Sequence, residues 1–166
     1  MEHMEIERKY TLKRLPENLE SYPCKIIEQA YLNTAPVVRI RKSNENYYLT
    51  YKGSGLMARE EYNLPLDEAS YRHLLEKADG NVISKKRYVI PLENSQFDDS
   101  FYPITDPKLS IELDIFEPPF APLIMAEVEF SSTEMANAFT PPEWFDEDVT
   151  NNTEYHNSTM SQKKFD

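Results

Sequence analysis

Two glutamates and a lysine alternate near the N-terminus, in the stretch EIERKY (5–10). A β-strand sends alternate side chains to opposite faces, so Glu5, Glu7 and Lys9 would share one face of a strand. Two carboxylates held side by side repel each other and cost stability unless a positive charge lies between them. Because carboxylate oxygens are the ligands that Mg²⁺ and Mn²⁺ prefer, this spacing indicates a divalent metal site.

Charges of one sign also alternate in later segments of the chain. Arg39 and Arg41 stand two residues apart, and so do Glu127 and Glu129. On strands, each pair would lie on one face, opposite its apolar neighbours. The bases found in this way, called here the basic set, are Lys9, Arg39, Arg41, Lys52, Lys85 and Arg87. The acids, called here the acidic set, are Glu5, Glu7, Glu61, Glu112, Asp114, Glu127 and Glu129.

The sorting of charges by strand is more informative than the charges on any one strand. For a single strand, a solvated polar face is the simpler interpretation, because alternating patterns are common in antiparallel sheets. A solvated face gains nothing from such sorting, since mixed signs would stabilise it better. A face that binds a polyanion does gain, because bases can fork onto phosphate oxygens while carboxylates bind the accompanying cations.

Strands of period two must position these residues. The alternation predicts eight of them, near residues 5–11, 26–32, 37–42, 47–52, 59–64, 83–90, 109–116 and 124–130. Turn-rich stretches at 43–46 and 53–55 indicate hairpins between neighbouring strands. Residues 93–108 form a polar, proline-containing loop that is long for a hairpin.

Two helices interrupt the strand pattern. The first is predicted to begin after Asp67, which can cap it, and to be stopped by Gly80. The second is predicted from the capping-box spacing at 131–134 and ends before Pro141, with Phe139 on its apolar stripe. The C-terminal segment carries side chains suited to docking on the sheet: Trp144, Phe145, Val149 and Tyr155.

These elements define an α+β domain of mostly antiparallel strands. Eight short strands can close into a barrel, which removes exposed strand edges. If the charged face lies inside, the barrel encloses a polar tunnel, and the apolar faces point outward and need the helices and the C-terminal segment as cover. We therefore predict a single domain, residues 1–166, built as a closed eight-stranded antiparallel β-barrel.

Composition excludes several classes of function. The chain carries 18 Lys and Arg against 29 Asp and Glu, a formal charge of -11, which argues against a general nucleic-acid binder. No apolar run approaches the roughly 20 residues needed to span a bilayer, so no membrane partner is expected. The single cysteine, Cys24, cannot form an internal disulfide, and this favours a reducing cytoplasm.

The charged segments together resemble a known family. EIERKY is similar to the ExExK signature of the CYTH, or triphosphate tunnel metalloenzyme, superfamily. The resemblance continues in order through VVRIRK (37–42), YYLTYKG (47–53), REEYNL (59–64), ISKKRYVI (83–90), IELDIF (111–116), MAEVEF (125–130) and DVTNNTEYHNSTM (148–160). Each motif alone recurs by chance, whereas the ordered set is specific and covers nearly the whole chain.

The resemblance implies a triphosphate-bearing substrate and a divalent metal, Mg²⁺ or Mn²⁺. It implies that the basic set binds phosphate and that the metal ligands are Glu5, Glu7, Glu127 and Glu129. The remaining acids, Glu61, Glu112 and Asp114, would support them. We assign catalysis to Glu5, Glu7 and Lys85, with a second metal, or Glu5 or Glu7 itself, orienting and deprotonating the attacking water.

The substrate is less well defined than the tunnel. Inorganic tripolyphosphate is the leading substrate, and a class IV-type adenylyl cyclase and a thiamine triphosphatase are the alternatives within the superfamily. A non-catalytic polyphosphate-binding module would belong to a different class, and it would fit an incomplete metal site. Exposed barrel surface is compatible with a homodimer, although no stretch identifies an interface.

Overall fold

The computed structural model describes residues 3–165 as a barrel of antiparallel strands with three short α-helices. The strands are β1 (Met4–Leu12), β2 (Cys24–Thr34), β3 (Val37–Ser43), β4 (Asn46–Lys52), β5 (Ala58–Leu66), β6 (Asp79–Leu92), β7 (Gln96–Phe97), β8 (Leu109–Phe116), β9 (Ile124–Glu129), β10 (Phe139–Thr140) and β11 (Phe145–Asp148). The helices are α1 (Glu68–Leu75), α2 (Thr133–Ala138) and α3 (Asn157–Ser161), with 3₁₀ turns at Leu19–Ser21 and Thr153–Tyr155.

Eight of these strands close into a barrel in the order β1-β5-β4-β3-β2-β6-β8-β9. Closure depends on β1, which pairs with β5 through its first residues and with β9 from Glu7 onward. In the β1–β9 register, Glu7 lies opposite Glu129 and Lys9 lies opposite Glu127. The predicted strands, the α+β class and the closed eight-stranded barrel are therefore confirmed. The alternating charges of β1 and β9 lie side by side where these two strands close the barrel.

The main apolar core lies outside the barrel wall. Leu113 and Val128 are fully buried on the outer face of β8 and β9, where they pack with Tyr10, Phe139 and Phe145. A second cluster joins the C-terminal segment to apolar side chains on the inward faces of β2, β3, β6, β8 and β9, and a third packs α1 against the outer face of β2 and β3. Because the inward faces that surround the cavity are polar, the outward faces carry much of the apolar burial that stabilises the domain.

The C-terminal segment docks on the barrel as the sequence predicted. Phe145 and Val149 are buried, while Trp144 and Tyr155 are half-buried against the same clusters. The segment also contributes β11, which continues the sheet beyond β1. Its last helix, α3, therefore reaches β2 and β6 at the barrel wall.

The helices begin as predicted, but they end earlier. Asp67 caps α1 by accepting a hydrogen bond from the Ser70 backbone N–H at 2.7 Å. Two tight turns then close the helix after Leu75, so Gly80 does not stop it but lies in β6. Phe139, expected on α2, instead lies in β10, which pairs with β7 inside the predicted 93–108 loop. Within residues 3–165, no helix has both the length and the apolar character needed to cross a bilayer.

Gly80 joins β6 to the C-terminal helix. Its φ is +75°, in the left-handed region, and a Cβ built there would lie 2.1 Å from the Ser161 carbonyl oxygen. Gly53 offers a matched comparison, because a Cβ there would lie 3.5 Å from its nearest neighbour. The Gly80 backbone therefore admits close contact with α3 that no side chain would permit.

We expect Gly80→Ala to lower the free energy of unfolding by about 1–3 kcal/mol, because it strains the backbone and displaces α3. Gly53→Ala should change it by less than about 1 kcal/mol. Urea unfolding of both variants measures the difference. Equal effects of the two substitutions would contradict the close packing of α3 on β6.

Candidate functional site

The barrel encloses a polar cavity of about 310 Å³. All six members of the basic set line it, together with six of the seven members of the acidic set. The seventh acid, Asp114, is buried behind the lining and contacts two of the bases. The segments that the sequence spreads from residue 5 to residue 129 are thus brought to one enclosed volume.

Two buried arginines face the cavity without a carboxylate partner. Arg39 and Arg41 form no ion pair with any acid in residues 3–165, although each is only 7% exposed. Arg39 donates from Nη2 to the Thr50 hydroxyl at 3.1 Å, and its buried Nε has no hydrogen-bond acceptor. Burial lowers the pKa of Arg41, and the charges of Arg39 and Arg87 lower it further. Since a buried, unpaired cation is costly, this pair is suited to receive an anion.

Lys85, Arg87 and Asp114 form a buried triad beside these arginines. Asp114 accepts from Lys85 Nζ at 2.8 Å and from Arg87 Nε and Nη2 at 2.7 and 2.8 Å. Burial alone would raise the pKa of Asp114, but Arg87 and Lys85 hold it below its ordinary value. The pKa of Lys85 is lowered to about 7, chiefly because burial removes the amine from water. The charges of Arg87 and Arg41 lower it further, and the attraction of Asp114 only partly opposes these effects. The Lys85 amine is therefore close to its midpoint of titration at neutral pH.

The acids on β1 are the least compensated charges in the cavity. Glu5 Oε1 accepts a hydrogen bond from the paired Lys52 Nζ at 2.8 Å, yet burial still raises the pKa of Glu5 to about 7. Glu7 forms no ion pair with any base in residues 3–165. Burial raises its pKa well above the ordinary value, and the carboxylates of Glu127 and Glu5 raise it further. Glu7 therefore has no cation in direct contact among residues 3–165, although the more distant charges of Lys52 and Lys9 lower its pKa.

The acids on β9 differ from one another. Glu127 is buried and lies 3.3 Å from Lys9 Nζ and 3.6 Å from Arg87 Nη2. Burial alone would raise its pKa, but these cations hold it well below the ordinary value. Glu129 is exposed at the cavity, and partial burial together with nearby carboxylates raises its pKa. Glu127 is therefore firmly ionised, while the surroundings of Glu7 and Glu129 disfavour the ionised form of these two acids.

The donor chemistry of these acids fits a hard divalent cation. Across residues 3–165, no three acidic, histidine or cysteine side chains already converge as a metal cage. Mg²⁺ does not require one, because it commonly binds one or two carboxylates and takes its other ligands from water and substrate phosphates. The uncompensated carboxylate of Glu7, set among other acids, is the observation that supports such a site.

Several residues of the cavity lining and of the wall behind it are not predicted by the sequence pattern. Arg59 lines the cavity although the basic set does not include it, and its alternation with Glu61 on β5 is the signal that identifies it. Gln29 is fully buried in the wall and accepts from Arg41 Nε at 2.7 Å. Asn157 and Ser158, at the start of α3, also line the cavity. The residues of β2 beside the cavity, Gln29 and Tyr31, are uncharged, and the C-terminal segment has no period of two, so charge alternation does not reveal either.

We expect Glu7→Gln to stabilise the metal-free protein at pH 8 by on the order of 1–3 kcal/mol, because it removes a half-buried carboxyl whose ionised form no contacting cation balances. In the parent protein, the folded-state pKa of Glu7 is raised, so stability falls as the pH rises from the ordinary pKa of the carboxyl through the raised one. The advantage of the Gln variant should therefore shrink toward pH 4. Urea unfolding in the presence of a chelator measures it.

Glu17→Gln serves as the control, because Glu17 is exposed and makes no side-chain contact with the cavity. It should change stability by less than about 0.5 kcal/mol at either pH. If Glu7→Gln destabilises the metal-free protein equally at pH 4 and pH 8, the Glu7 carboxylate is not electrostatically strained.

Comparison with known proteins agrees with this geometry. The CYTH domain family model matches residues 3–117. The chain is 32% identical over 161 residues to an inorganic triphosphatase of Nitrosomonas europaea, covering 95% of this chain and 96% of that protein. A crystal structure of an inorganic triphosphatase superposes with a TM-score of 0.67 at 29% identity, covering 96% of this chain and 95% of the other.

A more distant structure shares the fold alone. A putative adenylyl cyclase from Hippeastrum, described as having a dominant triphosphatase activity, superposes with a TM-score of 0.52 at 16% identity, over 80% of this chain and 82% of that one. The family match extends over most of the barrel, and the Nitrosomonas relative extends over the C-terminal segment as well. The chain therefore belongs to the CYTH domain family.

Proposed function

We propose that this protein is a divalent-metal-dependent triphosphatase whose substrate is inorganic tripolyphosphate. The observation that carries the proposal is the pair of buried guanidinium groups, Arg39 and Arg41, which face the cavity without a carboxylate partner in residues 3–165. Planar guanidinium groups hold phosphate oxygens through paired, charge-assisted hydrogen bonds. The family of the chain and the name of its Nitrosomonas relative support the same function.

The cavity favours an inorganic substrate over a nucleotide or a thiamine ester. A volume of about 310 Å³ lies at the lower end of the range for small-molecule sites. The lining is almost wholly polar, and its aromatic and apolar members are only Tyr31, Val37 and Tyr48. A nucleobase or a thiazolium ring would find little surface to stack on inside this part of the barrel. A chain of phosphates, in contrast, matches the charge of the walls.

The basic set would hold that chain of phosphates. Lys9 and Lys52 supply compact positive charges, Lys85 supplies one when it is protonated, and three arginines supply planar donors: Arg39, Arg41 and Arg87. Fixed donors of this kind stabilise the negative charge that shifts toward the leaving group during phosphoryl transfer. Because these bases surround one cavity, they would contact all three phosphates of tripolyphosphate at once. Orthophosphate has a single phosphate group and could contact only some of them.

The carboxylates of Glu5, Glu7, Glu127 and Glu129 would hold Mg²⁺ or Mn²⁺ together with phosphate oxygens. When bound, the cation would neutralise phosphate charge and favour attack by water. Glu61, Glu112 and Asp114 would support this arrangement through their ion pairs with Lys52, Arg87 and Lys85. Neutral glutamine is a poor ligand for a hard cation, so the acids on β1 are the sharpest test of the site.

Lys85 is suited to accept the proton of the attacking water. With a pKa of about 7, a large fraction of the amine is neutral at neutral pH. Its two N–H groups then donate to Asp114 and Asn157, which leaves the lone pair for a proton. Water attacks a terminal phosphorus, the bond to the bridging oxygen breaks, and diphosphate leaves as orthophosphate forms. The proton taken up by Lys85 passes to the products or to solvent.

The cellular location, the extent of the domain and the oligomeric state also belong to the proposal. We place it in the cytoplasm, where divalent cations are available, because its single cysteine, Cys24, has no intramolecular partner for a disulfide. One catalytic domain spanning residues 1–166 is sufficient for the proposed reaction, because the described barrel contains the whole proposed site. A homodimer is compatible with this arrangement and is not required by it.

Phosphate release from tripolyphosphate, ATP and thiamine triphosphate with Mg²⁺ or Mn²⁺ tests the proposed function. We expect tripolyphosphate to be hydrolysed faster than ATP or thiamine triphosphate. Glu7→Gln should lower the rate of tripolyphosphate hydrolysis by about tenfold to a hundredfold. Glu17→Gln, on the exposed surface, should retain the parent rate.

The same reactions are resolved by chromatography, so that cyclic AMP is detected if it forms. If cyclic AMP is the main product from ATP, the protein is an adenylyl cyclase and the proposed triphosphatase function is wrong. Tight binding of tripolyphosphate without turnover of any of the three compounds would instead identify a non-catalytic polyphosphate-binding module.

A further inference from the structure

Two uncharged amides connect the cavity wall to the C-terminal helix. Gln29 is fully buried on β2, and Asn157 is the first residue of α3. Gln29 Oε1 accepts from Arg41 Nε at 2.7 Å, and Gln29 Nε2 donates to Asn157 Oδ1 at 3.1 Å. The same Asn157 oxygen accepts from Lys85 Nζ at 3.1 Å. A single hydrogen-bonded chain therefore runs from Arg41 through both amides to Lys85.

The chain has a fixed direction, which follows from the chemistry of its first member. A guanidinium group has donors and no acceptor, so it must face the oxygen of the Gln29 amide. This turns the Gln29 NH₂ group toward Asn157 and requires the Asn157 oxygen to face Gln29. The Asn157 oxygen is then also the atom presented to Lys85. The orientation of both amides is thus determined by Arg41 rather than by crowding alone.

We propose that Gln29 and Asn157 are positioning residues for phosphoryl transfer, which hold the Arg41 guanidinium and the Lys85 amine in register through one directed hydrogen-bond chain. The inference rests on the proposed function, in which Arg41 binds phosphate and Lys85 accepts a proton. Neither amide needs to contact substrate for this role. The C-terminal segment is therefore a component of the site as well as a cover for the barrel.

Lys85 shows why such positioning matters. A neutral amine has two N–H groups, and in this arrangement they donate to Asp114 at 2.8 Å and to Asn157 at 3.1 Å. With both acceptors in place, the lone pair has one direction. Without Asn157, the amine is anchored at Asp114 alone and can rotate. Small displacements of a reacting group are costly, since an error of about 1 Å can reduce a rate by about a hundredfold.

The test compares Asn157→Leu, Gln29→Leu and the double variant in tripolyphosphate hydrolysis. Leucine approximates the volume of either amide but can neither donate nor accept a hydrogen bond. We expect each single substitution to lower kcat/KM by about tenfold to a hundredfold. The double variant should lose no more than about threefold beyond the worse single variant, because both substitutions break the same chain.

Thr159→Ala is the matched control, because Thr159 lies exposed on the same helix, two residues from Asn157. It should retain the parent kcat and KM. Losses that multiply in the double variant would show that the two amides act independently and would overturn the proposal. A lower melting temperature with unchanged kcat and KM in Asn157→Leu would reduce Asn157 to a structural role and would also overturn it.

A second measurement does not depend on activity. Hydrogen exchange of the Arg41 Nε–H, followed by NMR without substrate, should be accelerated in Asn157→Leu although Asn157 does not touch Arg41. Thr159→Ala should leave the exchange rate unchanged. An unchanged rate in Asn157→Leu would contradict the chain. If the parent protein fails to hydrolyse tripolyphosphate, the proposed function fails, while accelerated exchange would still establish the coupling of Asn157 to Arg41.

Discussion

Charges buried inside the barrel must be balanced, either by one another or by a ligand, and the rest of the structure follows from this constraint. Taking an ion out of water costs several kcal/mol unless a partner restores the lost interactions. Some of the interior charges have such partners, as in the triad of Asp114, Lys85 and Arg87. Others do not: Arg39 and Arg41 lack an anion, and Glu7 lacks a cation, among residues 3–165. Because unpaired groups of both signs face the cavity, the site is suited to a polyanion that is bound together with a metal cation.

A polar interior inverts the usual arrangement of a β-barrel. Around the cavity, the apolar side chains are buried on the outside of the wall, where Leu113 and Val128 pack with Phe145 of the segment that follows the last barrel strand. The C-terminal segment therefore has two tasks. Its apolar residues cover the barrel, and Asn157 enters the cavity wall. Stability and site geometry thus depend on the same segment, and Gly80 permits its close approach to β6.

The sequence predicts most of this arrangement because a period of two is visible without a structure. Alternation gives the strand positions, the inward face and hence twelve of the thirteen predicted residues in the lining, since only Asp114 lies behind it. It cannot distinguish Asp114 from Glu112, which share a face but differ in depth. Gln29 and Asn157 were not predicted, because an amide carries no charge pattern and α3 approaches the wall only in three dimensions. The end of α1 was also misplaced, because local turns after Leu75 ended the helix before Gly80 was reached.

Thermal unfolding at matched ionic strength, with tripolyphosphate or orthophosphate and with or without Mg²⁺, tests the central claim most directly. If the interior charges are balanced by a bound polyanion and its metal, tripolyphosphate with Mg²⁺ at a hundredfold excess over its dissociation constant should raise the free energy of unfolding by about 2.7 kcal/mol. For a domain of this size, that corresponds to about 5–10 °C in the melting temperature. Orthophosphate should add much less, because one phosphate cannot engage bases on all sides of the cavity. Equal shifts with the two anions, following ionic strength alone, would contradict the account.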